Sequence, residues 1–158
     1  MVINMLKVGE NLKKLIKIKK IRNNAIIPKR ATNGSAGLDL SACIEKSIEI
    51  HPGEILKVPT GIAIQICDNN YFAMICARSG LGINHGITLS NGVGIVDSDY
   101  RGEICVGLIN LSKEVYNINP GQRIAQMLIM PVSICDVEEV SELNETVRGK
   151  NGFGSTGK

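Results

Sequence analysis

The chain has 158 residues, 44% of them hydrophobic but only 3% aromatic, with no Trp and a formal charge of +3. That length allows one domain with a real core, which must rest on Ile, Val and Leu. With His51 and His85 as the only histidines and no apolar run near the ~20 residues of a membrane helix, a His-rich metal site and a membrane-spanning helix are excluded.

The charge is uneven. Residues 1–30 carry nine Lys or Arg against Glu10 alone, a net +8, while the remainder is net −5. Such a basic end can attract nucleic acid or an anionic membrane, but clustered Lys is also a solubility device, and a solvated terminal segment is the expectation. Met5, Val8, Leu12 and Leu15 fall at helical spacing and predict a short helix over residues 4–14. Ile16, Ile18 and Ile21 then lean towards a strand that ends before Pro28.

Strand signals dominate from there. Ser47–Ile50 alternates into the turn His51-Pro-Gly-Glu54, Ile55–Ile66 forms a further run, and Asp68-Asn-Asn70 turns into Tyr71–Cys76. Residues 87–96 and 103–111 read as strands parted by Asp97–Gly102, and Asn119-Pro-Gly121 turns into Arg123–Met130. A helical turn is expected only at Val137–Leu143. Short strands at this even spacing, joined by Gly-rich turns, predict an all-β protein, an antiparallel barrel or sandwich. Residues 148–158 hold four glycines and one apolar side chain, so they read as a flexible arm. Five separated cysteines without a Cys-x-x-Cys pair, and no cleavable leader, point to a reducing compartment; the protein is expected to be cytoplasmic, or nuclear in a eukaryotic or viral setting.

The segment Asn91–Glu103 is the richest in chemistry. It sets an amide, two carboxylates (Asp97 and Asp99) and the ring of Tyr100 within ten residues, alternating with apolar residues. An amide can read a base edge, a carboxylate can activate water, and a ring can pack on a sugar. Other pieces are weaker alone. Arg78-Ser-Gly-Leu-Gly82 begins a loop with an anion-friendly Ser79 and Gly80, Asp39 sits between two leucines, and Gln126 ends Gln122-Arg-Ile-Ala-Gln126. Gly152–Lys158 superficially matches a phosphate-binding loop of the GxxxxGK type, but no helix can follow it before the last residue given.

In order, Ser35–Leu40, Ala77–Gly82, Asn91–Glu103, Pro120–Gln126 and Arg148–Gly157 resemble the five motifs of the homotrimeric dUTP diphosphatases. The likeness covers residues ~25 to 158 and divides the chain into a basic extension and first strand (1–24), a jelly-roll-like antiparallel β barrel (25–147) and a closing arm (148–158). It implies hydrolysis of dUTP to dUMP and pyrophosphate, with Asp97 as the general base that activates water for attack on the α-phosphorus. It further implies that Arg78, Ser79, the amide of Gly80 and Gln126 hold phosphates. Asn91 and the backbone at Gly94, Ile95 and Val96 would read uracil, and Tyr100 would lie on the deoxyribose. Arg148, Phe153, Gly154, Ser155 and Thr156 would close from the arm. Mg²⁺ is the implied cofactor, reached by Asp39 only through water; Asp99 is implied to be structural, with Arg101 as its partner. The implied assembly is a homotrimer with shared active sites, with no membrane and no direct nucleic-acid binding. The rival readings are a dCTP deaminase on the same barrel and a nucleotide-dependent regulatory protein.

Overall fold

The computed structural model describes residues 16–150. The helix expected over residues 4–14 and the arm residues Phe153, Gly154, Ser155 and Thr156 lie outside the described residues. Eleven strands and one helix follow in order: β1 (Ile16–Lys20), β2 (Leu38–Ser41), β3 (Ile48–Ile50), β4 (Ile55–Pro59), β5 (Ile62–Ile66), β6 (Tyr71–Cys76), α1 (Ser79–His85), β7 (Ile87–Leu89), β8 (Gly94–Val96), β9 (Cys105–Asn110), β10 (Tyr116–Ile118) and β11 (Arg123–Pro131). All pairings are antiparallel. The strands group into a four-stranded sheet β2-β11-β6-β8, a three-stranded sheet β4-β9-β7, and the pairs β1-β5 and β10-β3, rather than one closed hydrogen-bonded ring.

Period-two burial builds the core. Val106, Leu108 and Asn110 of β9 point inward between half-exposed neighbours, and Ala73 and Ile75 of β6 do the same. They meet Leu40, Ile50, Ile62, Ile87, Ile118, Ile124 and Met127, all almost fully buried, so aliphatic side chains supply the core as composition requires. The one buried side-chain amide among the described residues is fully satisfied: Asn110 Nδ2 donates to the carbonyls of Ile50 and Glu114, while Oδ1 accepts from the backbone and hydroxyl of Ser112.

Four expectations are corrected. The run 55–66 is two strands, broken where Gly61 takes φ +72°. The run 87–96 is also two strands, parted by a turn with Gly92 at φ +72°. The loop expected after Arg78 is the start of α1, whose two internal glycines conceal it; it forms because Leu81 is buried and Gly86 closes it in the left-handed region. Val137–Leu143 contains no helix, since nothing packs against its apolar side chains. After β11 the chain instead runs exposed, with Ile134 72%, Val137 97% and Leu143 86% accessible.

Candidate active site

The expected site residues fall at two ends of the four-stranded sheet. At the first, Asp39 of β2 pairs in register with Gln126 of β11, which pairs in turn with Cys76 of β6, just before Arg78. One row across three strands therefore gathers the polar groups. A β-bulge between Arg123 and Ala125 lets Ile124 and Ala125 both face the core and turns Arg123 towards Asp39. Arg123 Nη1 donates to Asp39 Oδ2 at 2.9 Å, and the Arg78 guanidinium lies 3.2 Å from Oδ1. Arg78 also donates to the Arg123 carbonyl at 3.1 Å. Asp39, Arg78, Ser79, Arg123 and Gln126 line one cavity of about 170 Å³.

Gln126 is aimed by its neighbours. Its Nε2 donates to the Ala77 carbonyl at 3.0 Å, and its side chain lies over Gly37, where a Cβ would come within 2.7 Å of Oε1. Arg30 holds the loop that carries Gly37 by donating to the carbonyls of Ser35 and Ala36. Arg78 occupies the N-cap of α1 in extended conformation, leaving the N–H groups of Ser79 and Gly80 outside the intrahelical ladder. Two guanidiniums and Ser79 with a single carboxylate give this cavity a lining suited to an anion. Arg123 was not foreseen: it opens β11 three residues before Gln126, and its aim at Asp39 comes from the bulge, which the local sequence does not show.

At the second end, Ile95, Val96, Asp97, Tyr100, Glu103 and Cys105 line a cavity of about 200 Å³. Asp97 is exposed, with no side-chain hydrogen bond or ion pair to another described residue. Its loop is held from below. Tyr100 N–H donates to the Asp97 carbonyl at 3.2 Å, and the Tyr100 hydroxyl donates to the Glu103 carbonyl at 3.1 Å. The ring lies over Gly102, where a Cβ would sit 2.3 Å from the hydroxyl. Arg101 donates to the carbonyls of Ser98 and Tyr100, not to Asp99, which corrects the expected pairing. Asn91 is exposed on the turn before β8, with Nδ2 placed where a Cβ on Gly94 would come within 3.8 Å of it. Glu103 receives both Nε and Nη2 of Arg22, at 2.8 and 2.9 Å, and the Gly61 N–H at 2.9 Å. The Arg22 hydrogen bond holds its carboxyl below the ordinary range against the opposing effect of burial, with help from Gly61.

Val96 pairs with Ala73, whereas the Asp39 row crosses β6 at Cys76. Asp97 therefore stands roughly 13 Å from that row along the strands, one strand beyond its end at Cys76 and roughly 14 Å across the sheet from Asp39. Arg148 is exposed and touches neither cavity. A larger cavity of about 730 Å³ beside Arg22 and Cys43 contains none of the expected site residues. No group of three His, Cys, Asp or Glu that could hold a metal occurs among the described residues. The two oxygens of Asp39 each meet one guanidinium, which leaves lone pairs for a bound water. Those donors fit an ion carried by phosphates, not a protein cage.

An arginine-lined anion cavity and an exposed carboxylate beside an aromatic ring, on an antiparallel jelly-roll framework, define a nucleotide-phosphate hydrolase type of site. The dUTPase family model matches residues 23–157. The deoxyuridine 5'-triphosphate nucleotidohydrolase of Acinetobacter baumannii is 50% identical over 132 residues, covering 84% of this chain and 88% of that protein. That of Neisseria meningitidis is 46% identical over 147 residues, covering 93% and 98%. Among solved structures, Staphylococcus bacteriophage 80alpha dUTPase with dUPNHPP superposes with a TM-score of 0.81 at 24% identity, covering 91% of this chain and 99% of that one. A phage phi11 dUTPase described with a structural Mg(II) ion gives a TM-score of 0.74 at 20% identity, covering 83% and 99%. The chain belongs to the dUTPase family.

Proposed function

We propose that this protein hydrolyses dUTP to dUMP and pyrophosphate, keeping uracil out of DNA and supplying dUMP for thymidylate synthesis. Asp97 accepts a proton from a water whose oxygen attacks the α-phosphorus. The bond from that phosphorus to the bridging oxygen breaks, and pyrophosphate leaves with the electron pair. The observation that carries this reading is the Asp97 carboxylate itself, exposed in the cavity with Tyr100 and free of competing side-chain partners among the described residues.

Arg78, Ser79, the Gly80 amide and Gln126 hold the phosphate oxygens, with Arg123 fixing Asp39 between the two arginines. Asp39 would hold, through a water, a Mg²⁺ carried by the triphosphate, and the ion would supply charge neutralisation there. Asn91 and the backbone at Gly94, Ile95 and Val96 read the uracil edge, whose donor at N3 and acceptor at O4 are reversed in cytosine. A site built for one pattern leaves buried polar groups unpaired with the other, so discrimination can reach ~10⁴. Tyr100 packs on the sugar where a 2′-hydroxyl would clash. The arm, through Arg148, Phe153, Gly154, Ser155 and Thr156, closes over the nucleotide and excludes water.

The separation of the two ends within one protomer is too great for one nucleotide to bridge comfortably. A homotrimer would bring the phosphate end of one subunit to the Asp97 end of another, and would cover the apolar side chains exposed after β11. The test is pyrophosphate release from dUTP, dTTP, dCTP and UTP side by side, with dUTP expected to be the preferred substrate by orders of magnitude. Ammonia release from dCTP without pyrophosphate would replace this reading with deamination.

A further inference from the structure

Arg22 stands outside every motif used so far, in the turn after β1, yet it reaches 81 positions along the chain to Glu103. Its guanidinium makes two parallel bonds to the Glu103 carboxylate, the fork geometry that gives arginine its directional strength. The third bond comes from Gly61, whose φ of +72° aims its N–H at Glu103 Oε1. A Cβ at Gly61 would come within 2.5 Å of Cys43 Sγ, so only glycine supplies this donor. The carbonyl of the same Gly61 accepts from the Ile21 N–H at 2.8 Å, which fixes the segment carrying Arg22.

Glu103 lines the same cavity as Asp97 and Tyr100, and its backbone carbonyl accepts from the Tyr100 hydroxyl. Without a counter-ion, that cavity would present two carboxylates to a polyanionic substrate. Only one of them has a chemical reason to be negative and unpaired. Other groups act on Glu103 as well, Lys57 in the same direction as Arg22, but Arg22 alone makes the direct forked contact.

We propose that Arg22 is a positioning residue for dUTP hydrolysis: it neutralises Glu103 and holds its carboxylate away from the incoming phosphates while the Tyr100 loop stays seated. This inference rests on the dUTP reading, and it assigns a role to the basic segment that precedes the shared motifs. Arg22 touches no substrate and acts wholly through Glu103.

The experiment measures dUTP turnover by Arg22→Ala, Arg22→Lys and the double variant Arg22→Ala/Glu103→Gln. Arg22→Ala is expected to raise KM roughly tenfold, the scale of one unneutralised charge near an anionic ligand in a partly solvated site, with kcat changed less than about threefold. The rise should shrink at high salt. The double variant should recover most of the lost affinity, because the unpaired charge is gone; a purely structural loss would not be repaired by removing the second partner. A normal KM for Arg22→Ala, or a double variant no better than the single one, overturns the proposal. Should Arg22→Ala fail to fold, Arg22→Lys decides the question: charge without the fork should give an intermediate KM, and a wild-type value overturns the proposed role of the fork. Carboxyl NMR titration of Glu103 reads the coupling without substrate. The Glu103 titration should move upward in Arg22→Lys, and an unmoved titration overturns the clamp. Wild-type protein that releases no pyrophosphate from dUTP would instead overturn the hydrolysis reading, and the substrate half of this inference with it.

Discussion

Asp39, on β2, and Asp97, just past the end of β8, stand at opposite edges of one sheet, and their surroundings separate their roles. Asp39 takes two guanidinium contacts and is held in place, whereas Asp97 has no such partner among the described residues and keeps its lone pairs for water. Asp97→Asn is therefore expected to bind a non-hydrolysable dUTP analogue within about threefold of wild type while turnover falls at least ~10²-fold, the scale of losing a general base. Unchanged turnover in a pyrophosphate assay would remove Asp97 from that role. Gly37 gives a second test at this scale, because its missing side chain is the space that Gln126 occupies. Gly37→Ala should cost about 1–3 kcal/mol in denaturant unfolding through overpacking and raise KM by displacing Gln126. Wild-type stability and KM together would show that the side chain has room to move.

The segment following β11 shows how far local sequence can be read. Asp97 and Tyr100 stood out because their segment carries its chemistry in its own side chains, whereas Arg78 and Gln126 were weak alone and were singled out only by the resemblance of five ordered motifs. Arg123 was not legible, because its aim comes from a bulge in the pairing with β2, on a strand more than 80 residues earlier. The break at Gly61 was hidden for a similar reason: the turn is fixed by Glu103, 42 positions away. Helix α1 was missed since two glycines lower its local propensity and burial of Leu81 overrides them. Conversely, Val137–Leu143 carries an apolar pattern that finds no surface to pack on in one chain. The arm beyond it gives an element-scale expectation. Removal of residues 148–158 should leave far-UV circular dichroism and oligomer mass in place while dUTP hydrolysis drops by more than tenfold; a fully active truncated enzyme would refute arm closure.

At the scale of the whole molecule, the Arg22–Glu103 clamp ties β1, the Gly61 turn and the Asp97 loop into one unit, and it should be visible in acid. The carboxyl of Glu103 is held below its ordinary value, first by the Arg22 hydrogen bond and against the opposing effect of burial. A depressed folded pKa contributes stability that is fully present above the unfolded value and disappears as pH falls through the lower folded one. Glu103→Gln should therefore lower Tm near neutral pH and show a shallower loss on acidification than wild type; parallel Tm curves would mean that Glu103 is not a source of the acid sensitivity. Light scattering of the purified protein should give a mass three times that of the 17.0 kDa chain. A stable, active monomer would rule out shared sites. The chain after β11 adds a kinetic consequence. If the proposed trimer covers it, each newly made copy first carries Ile134, Val137 and Leu143 bare to water, interleaved with Asp136, Glu138, Glu139, Glu142 and Glu145. Those acids act as gatekeepers against indiscriminate sticking. Expression yield should then depend on how quickly copies find one another, and neutralising these acids would send material to inclusion bodies even if the finished enzyme were as robust as before.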